Sequence, residues 1–179
     1  QVVEVLNTTG VYLADQKMEE AARLVAVAMS EIGEAAAERY QTSPCALVAA
    51  SLGALGCRAA DLGLAPAADE TAYSLGYLGT AVANRGMQDP TRQVATSLGR
   101  VGVRATERGL NMVTRQALIS LWSLGAQVCQ HLPQCVDVVV GEIDTLERST
   151  DPEFADSSYL SAPRSQALEE FRVKYLARS

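Results

Sequence analysis

Cysteine and histidine are the residues of this sequence best suited to chemistry, and three of them fall close together. Cys129, His131 and Cys135 form the pattern C-x-H-x3-C. Thiolate and imidazole are zinc ligands, but a structural zinc site takes four of them tetrahedrally, and these are three near one helix end. A Cys–His nucleophilic pair needs the base within hydrogen-bond reach of the thiol, which this spacing does not provide. Carboxylates offer a second possibility. Asp15, Glu38, Asp61, Asn84, Glu107 and Gln130 recur every 23 residues as a polar ladder. Beside Arg39, Arg85 and Arg108, that ladder is explained as a solvated charged face. Glycines spaced G-x-x-G lack the strand–loop–helix context of a phosphate loop. The sequence therefore predicts no catalytic, cofactor-binding or metal-binding residue, no cofactor, and no enzyme.

The ladder is one line of a repeat. The segments "LGALGCRAADLGL", "LGYLGTAVANRGM" and "LGRVGVRATERGL" begin at Leu52, Leu75 and Leu98, and the 23-residue spacing extends to starts at Leu6, Met29 and Leu121. Six units fit without insertion or deletion. Position 5 is glycine in all of them: Gly10, Gly33, Gly56, Gly79, Gly102 and Gly125. Position 4 is apolar in Ile32, Leu55, Leu78, Val101 and Leu124, with Thr9 the exception, and position 9 is small throughout.

Each unit predicts one helix and one turn. Val94, Leu98, Val101 and Ala105 are spaced four, three and four apart, the period of one helical face. Gly63-Leu64, Gly86-Met87 and Gly109-Leu110 then match a left-handed C-terminal cap with its hydrophobic contact. Ser43-Pro44 and Asp89-Pro90 match an N-cap followed by proline at the first helical position. Helices of about 18 residues joined by about five favour antiparallel neighbours.

Glycine inside a helix costs about 0.5–1 kcal/mol relative to alanine, so its recurrence needs a packing reason. Gly76, Gly79, Ala83 and Ala72 fall on one stripe, beside a stripe of Leu75, Leu78, Val82 and Thr71. A flat stripe beside a knobby one lets a neighbouring helix approach closely, with its large residues over the small ones.

On these features the chain resembles the α-solenoids built from HEAT and armadillo repeats. Two units make a 46-residue helical hairpin, within the size range of those families. The resemblance is one of architecture over about residues 1–148 and carries no functional residue with it. The expected fold is all-α: a right-handed α-solenoid, or superhelix, of antiparallel helices from six 23-residue repeats, with a C-terminal helix added. The expected organisation is a helical-repeat domain over 1–148, a linker or surface loop over 149–163, and an amphipathic helix over 164–179 that caps the last repeat.

Composition narrows the function. With a net charge of −6, the chain lacks the basic footprint of a nucleic-acid binder. Its 5% aromatic content does not make a base-stacking platform. The uncharged stretch from Gln116 to Val136 reaches spanning length, but it holds four glutamines, a histidine and a proline, and no membrane span is expected. The start "QVVEVLNTTG" lacks a basic signal-peptide region and suggests a fragment. Four scattered cysteines suit small core residues in a reducing compartment, hence the cytoplasm.

The expected function is a non-catalytic scaffold that binds a protein partner or itself. The alternative is the soluble cytoplasmic domain of a larger protein, tethered to a membrane by a segment outside this chain and acting as an oligomerisation or sensor module. Exposed positions of the fifth unit are charged, namely Arg100, Arg104 and Glu107. Those of the fourth and sixth are polar but uncharged: Tyr77, Asn84 and Gln93, then Ser123, Gln127 and Gln130. Interface cores are depleted in charge, so these six are the candidate protein-binding residues.

Overall fold

Each full 23-residue unit folds as a helix of about 20 residues and a three-residue connection. In the computed structural model, which describes residues 1–151, 153–154 and 166–176, the helices are α1 (Val2–Asp15), α2 (Glu19–Glu38), α3 (Thr42–Asp61), α4 (Ala65–Asn84), α5 (Gln88–Glu107), α6 (Asn111–His131), α7 (Val136–Arg148) and α8 (Gln166–Phe171). A 3-10 turn, Pro133–Cys135, precedes α7, and α8 runs on into a π-helical turn, Arg172–Leu176. No strand occurs among the described residues.

The connections are shorter than expected because one residue closes one helix and opens the next. Gly63 donates its N–H to the Ala60 carbonyl (3.0 Å), and Leu64 donates to that of Ala59 (2.9 Å). Leu64 is then the N-cap of α4. The paired bonds of this closure recur at Gly86-Met87 and Gly109-Leu110. Ser43 and Asp89 are consequently not the N-caps expected. Gln41 and Met87 are, without a side-chain cap bond, and Pro44 and Pro90 lie third in their helices. Proline is tolerated there because first-turn N–H groups have no intrahelical acceptor.

The closing residue takes a left-handed backbone: φ is +73° at Gly63, +70° at Gly86 and +69° at Gly109. Lys17 and Tyr40 occupy the same position at +57° and +56°, a conformation costing an L side chain about 1–2 kcal/mol. Tyr40 is 68% exposed, so little packing is lost with its ring. Tyr40→Gly is expected to stabilise the chain by about 0.5–1 kcal/mol in urea denaturation, and Gly86→Ala to cost about 1 kcal/mol.

Helices adjacent in sequence pack together, and so do helices two apart, so odd-numbered helices form one layer and even-numbered helices the other. The chain is an all-α helical repeat. α7 extends the odd layer against α5, and α8 the even layer against α6.

The position-5 glycines sit where three helices meet. A Cβ on Gly10 would lie 2.9 Å from Val25 on the next helix and 3.1 Å from Leu55 two helices on. For Gly33 the partners are Val48 (3.0 Å) and Leu78 (3.1 Å), and for Gly79 they are Val94 (2.9 Å) and Leu124 (3.3 Å). Each glycine thus receives the residues 15 and 45 positions further along. At the end of the array the register slips. Gly102 receives Leu146, 44 residues on, and Gly125 receives Phe171, 46 on. The fading pattern after the sixth unit is therefore α7, reached through the 3-10 turn. Of the linker expected over 149–163, residue 152 and residues 155–163 lie outside the described residues, as do 164–165 and 177–179 of the expected C-terminal helix.

Among the described residues one helix, α3, is long and apolar enough to cross a membrane by length and composition, with mean hydropathy 1.3. More than half of that window is buried, because α3 packs against α1, α2, α4 and α5. The uncharged stretch Gln116–Val136 is broken at Leu132–Cys135, and its Leu118, Leu121, Trp122 and Leu124 are core residues.

Candidate functional site

Tyr73 and Tyr77 stand one turn apart on the outer side of α4, 57% and 50% exposed. Across from them α6 presents Gln116, Ile119 and Ser123, and the two rows enclose a groove of about 240 Å³. Its floor is Gly76, whose bare Cα lets Ser120 pack directly on the α4 backbone. The Ser120 hydroxyl donates to the Ala72 carbonyl at 3.2 Å and accepts from Gln116 Nε2 at 3.2 Å. This relay satisfies the buried hydroxyl and ties the two parallel helices at one height. No residue lining the groove carries a charge.

Beside it, Tyr77, Thr80, Ala81, Asn84 and Arg85 form a second recess of about 290 Å³ with Glu34 and Glu38 of α2. A hydrogen bond from the Tyr77 phenol to the Glu34 carboxylate, and then that carboxylate's negative charge, push the phenol pKa up.

Five of the six candidate residues share this layer. Tyr77 and Asn84 lie on α4; Ser123, Gln127 and Gln130 lie on α6. Gln93 does not join them. It lies on α5 in the opposite layer, half-buried, with Nε2 donating to Ser97 Oγ at 3.3 Å. A unit counted from Leu75 starts in mid-helix, so its last positions fall on the next helix. Tyr73, Ile119 and Gln116 were not among the sequence candidates. Tyr73 was detectable, four residues before Tyr77 and so on the same helix face.

The carboxylate ladder also divides between layers. Asp15, Asp61 and Glu107 belong to odd helices, and each meets an arginine: Arg58 Nε at 2.5 Å, Arg108 Nη2 at 3.6 Å and Arg104 Nη1 at 3.0 Å. Exposed pairs of this kind contribute about 0–1 kcal/mol each. Cys129, His131 and Cys135 are not gathered. Cys135 is buried in the 3-10 turn and donates from Sγ to the Gln88 carbonyl at 3.8 Å, while His131 is exposed at the end of α6. No group of three or more metal-ligating residues stands together among the described residues.

The odd layer carries a groove of its own, about 450 Å³, lined by Cys57, Asp61, Arg100, Arg104, Glu107 and Glu142 among others. The Glu142 carboxylate packs against the bare Cα of Gly99. Burial pushes its pKa up, partly offset by a hydrogen bond from Thr96. Unfolded glutamate ionises near about 4.3, and the folded chain holds this proton to higher pH. The stability contributed here is therefore greatest below the ordinary pKa and falls as pH rises through the raised one. Glu142→Gln is expected to raise Tm at neutral pH, with the difference vanishing near about pH 4 in parallel thermal melts.

Compared with protein-family models, with curated proteins and with solved structures, the chain matches none.

Proposed function

We propose that this helical repeat is a non-catalytic scaffold of the HEAT and armadillo kind, presenting its even-helix layer to another protein. The observation that carries this is the uncharged α4–α6 groove with two exposed tyrosines, set opposite a layer whose own groove is lined by Asp61, Arg100, Arg104, Glu107 and Glu142. Tyrosine is enriched and charge depleted where proteins bind one another. A groove whose walls are held by the Ser120 relay also loses little conformational entropy on binding.

A photo-crosslinking residue placed at Tyr77, in the protein expressed in its own cells, is expected to trap a discrete protein partner that the same probe at Arg100 does not. Tyr73→Glu or Tyr77→Glu should weaken that complex about tenfold or more, the scale of a tyrosine hot spot. Equal trapping at both positions, or none at Tyr77, rules the proposal out.

A further inference from the structure

Arg100 and Arg104 stand one turn apart on α5 and line the odd-layer groove with Cys57 and Asp61 of α3 and Glu142 of α7. The ion pairs there leave guanidinium donors unused. Arg108 meets Asp61 at 3.6 Å, and Arg104 gives Nη1 to Glu107 at 3.0 Å. A guanidinium has more N–H donors than that single contact takes up. Arg100 has no carboxylate within ion-pair distance among the described residues. Both arginines also bear on one point of α3. Burial pushes the Cys57 thiol pKa up, and the positive charges of Arg100 and Arg104 act against that rise. The two side chains are thus within electrostatic reach of the same sulfur.

The repeat supplies its own comparison. No other unit places two cations at these positions. On α3 they are Ala54 and Arg58, and Arg58 is bound to Asp15; on α4 and α6 neither position is charged. The floor of the groove differs too. Gly53 and Gly76 seat Ser97 and Ser120, whereas Gly99 seats Glu142. Each serine closes its seat by donating to a backbone carbonyl beneath it. Glu142 instead accepts from Thr96, and its carboxyl forms part of the groove wall. Neither Arg100 nor Arg104 pairs with it, although both line the same space.

We infer that this groove binds a small oxyanion, a phosphoryl or carboxylate group held between Arg100 and Arg104. A guanidinium fork matches either group through two parallel N–H···O bonds. Two forks about 6 Å apart along the helix axis can close on one oxyanion from two sides. The groove encloses about 450 Å³, within the span of about 300–1,000 Å³ usual for small-molecule sites. The chain as a whole carries a net charge of −6, which opposes general uptake of anions, so binding depends on this local pair. The inference does not rest on the α4–α6 groove, which lies in the other layer.

Inorganic phosphate and malonate, titrated separately into the isotope-labelled 179-residue chain at low chloride, test it by nuclear magnetic resonance. The Nε–H signals of Arg100 and Arg104 should move and saturate with one probe or both, with half-saturation at about 1–10 mM. The tighter probe identifies the group as phosphoryl or carboxylate. Arg100→Gln should raise the half-saturation concentration about tenfold. Arg100→Lys, which keeps the charge and loses the fork, should raise it about threefold. Glu142→Gln takes a negative charge from the wall and should lower it about threefold. Arg39→Gln, at the exposed end of α2, should leave it unchanged. All four variants should keep the helical circular dichroism of the parent. Shifts that saturate with neither probe overturn the inference. So does an equal response at the Arg39 Nε–H, or binding indifferent to Arg100→Gln and Glu142→Gln.

Discussion

Gly79→Leu is expected to destabilise the array by about 3 kcal/mol or more, the upper range for overpacking a core. A Cβ at residue 79 would already stand 2.9 Å from Val94 Cγ1 and 3.3 Å from Leu124 Cδ1. Those walls belong to α5 and α6, and both side chains are fully buried, so neither can move without displacing a helix. Leu124→Ala alone should cost about 2–5 kcal/mol through the cavity it leaves. In the double variant the leucine at 79 can occupy that space, so the two losses should fall short of their sum by about 0.5–3 kcal/mol. Arg100→Leu, on the exposed side of α5, should change stability by no more than about 0.5 kcal/mol. Urea denaturation of the four variants and the parent checks the set. A Gly79→Leu protein as stable as the parent would mean that the glycine seam does not hold the layers together.

Phe171→Ala should be the second large effect, and it should be local. The Phe171 ring lies on the bare Cα of Gly125 and is fully buried. Truncation of a buried phenylalanine costs about 3–5 kcal/mol. In an array where each helix touches only near neighbours, such a loss is confined to the end where it occurs. Once α8 undocks, no further energy can be lost there. Hydrogen exchange should therefore speed up in α6 around Gly125 and remain slow in α2 to α4. Gly125→Ala, which fills the seat from the other side, should produce the same pattern, and combining both changes should add little. Exchange that accelerates uniformly along the chain would contradict this end-confined docking.

Much of this architecture was legible before any coordinates, because the repeat has no insertion. Position 5 glycines, the small residue at position 9 and the left-handed glycine after each helix all stand at fixed offsets. The candidate face was legible in part. Tyr77 and Ser123 do line one groove, but Gln93 lies in the other layer, because a period gives spacing along the chain and not the point at which a helix begins. Glu142 against Gly99 carried no signal, since it depends on the slip of register that the 3-10 turn introduces before α7.

What the sequence by itself determined is local. Helix, cap and the flat and knobby stripes follow from interactions within a few residues of each position, and these repeat every 23. What only the tertiary structure decided is which stripe meets which helix. Gly10, Gly33 and Gly79 each receive residues 15 and 45 further on, and that pair of distances exists only once the helices have stacked in two layers. The same stacking buries Ser97 and Ser120 against the helices two before their own, a contact that no single helix contains.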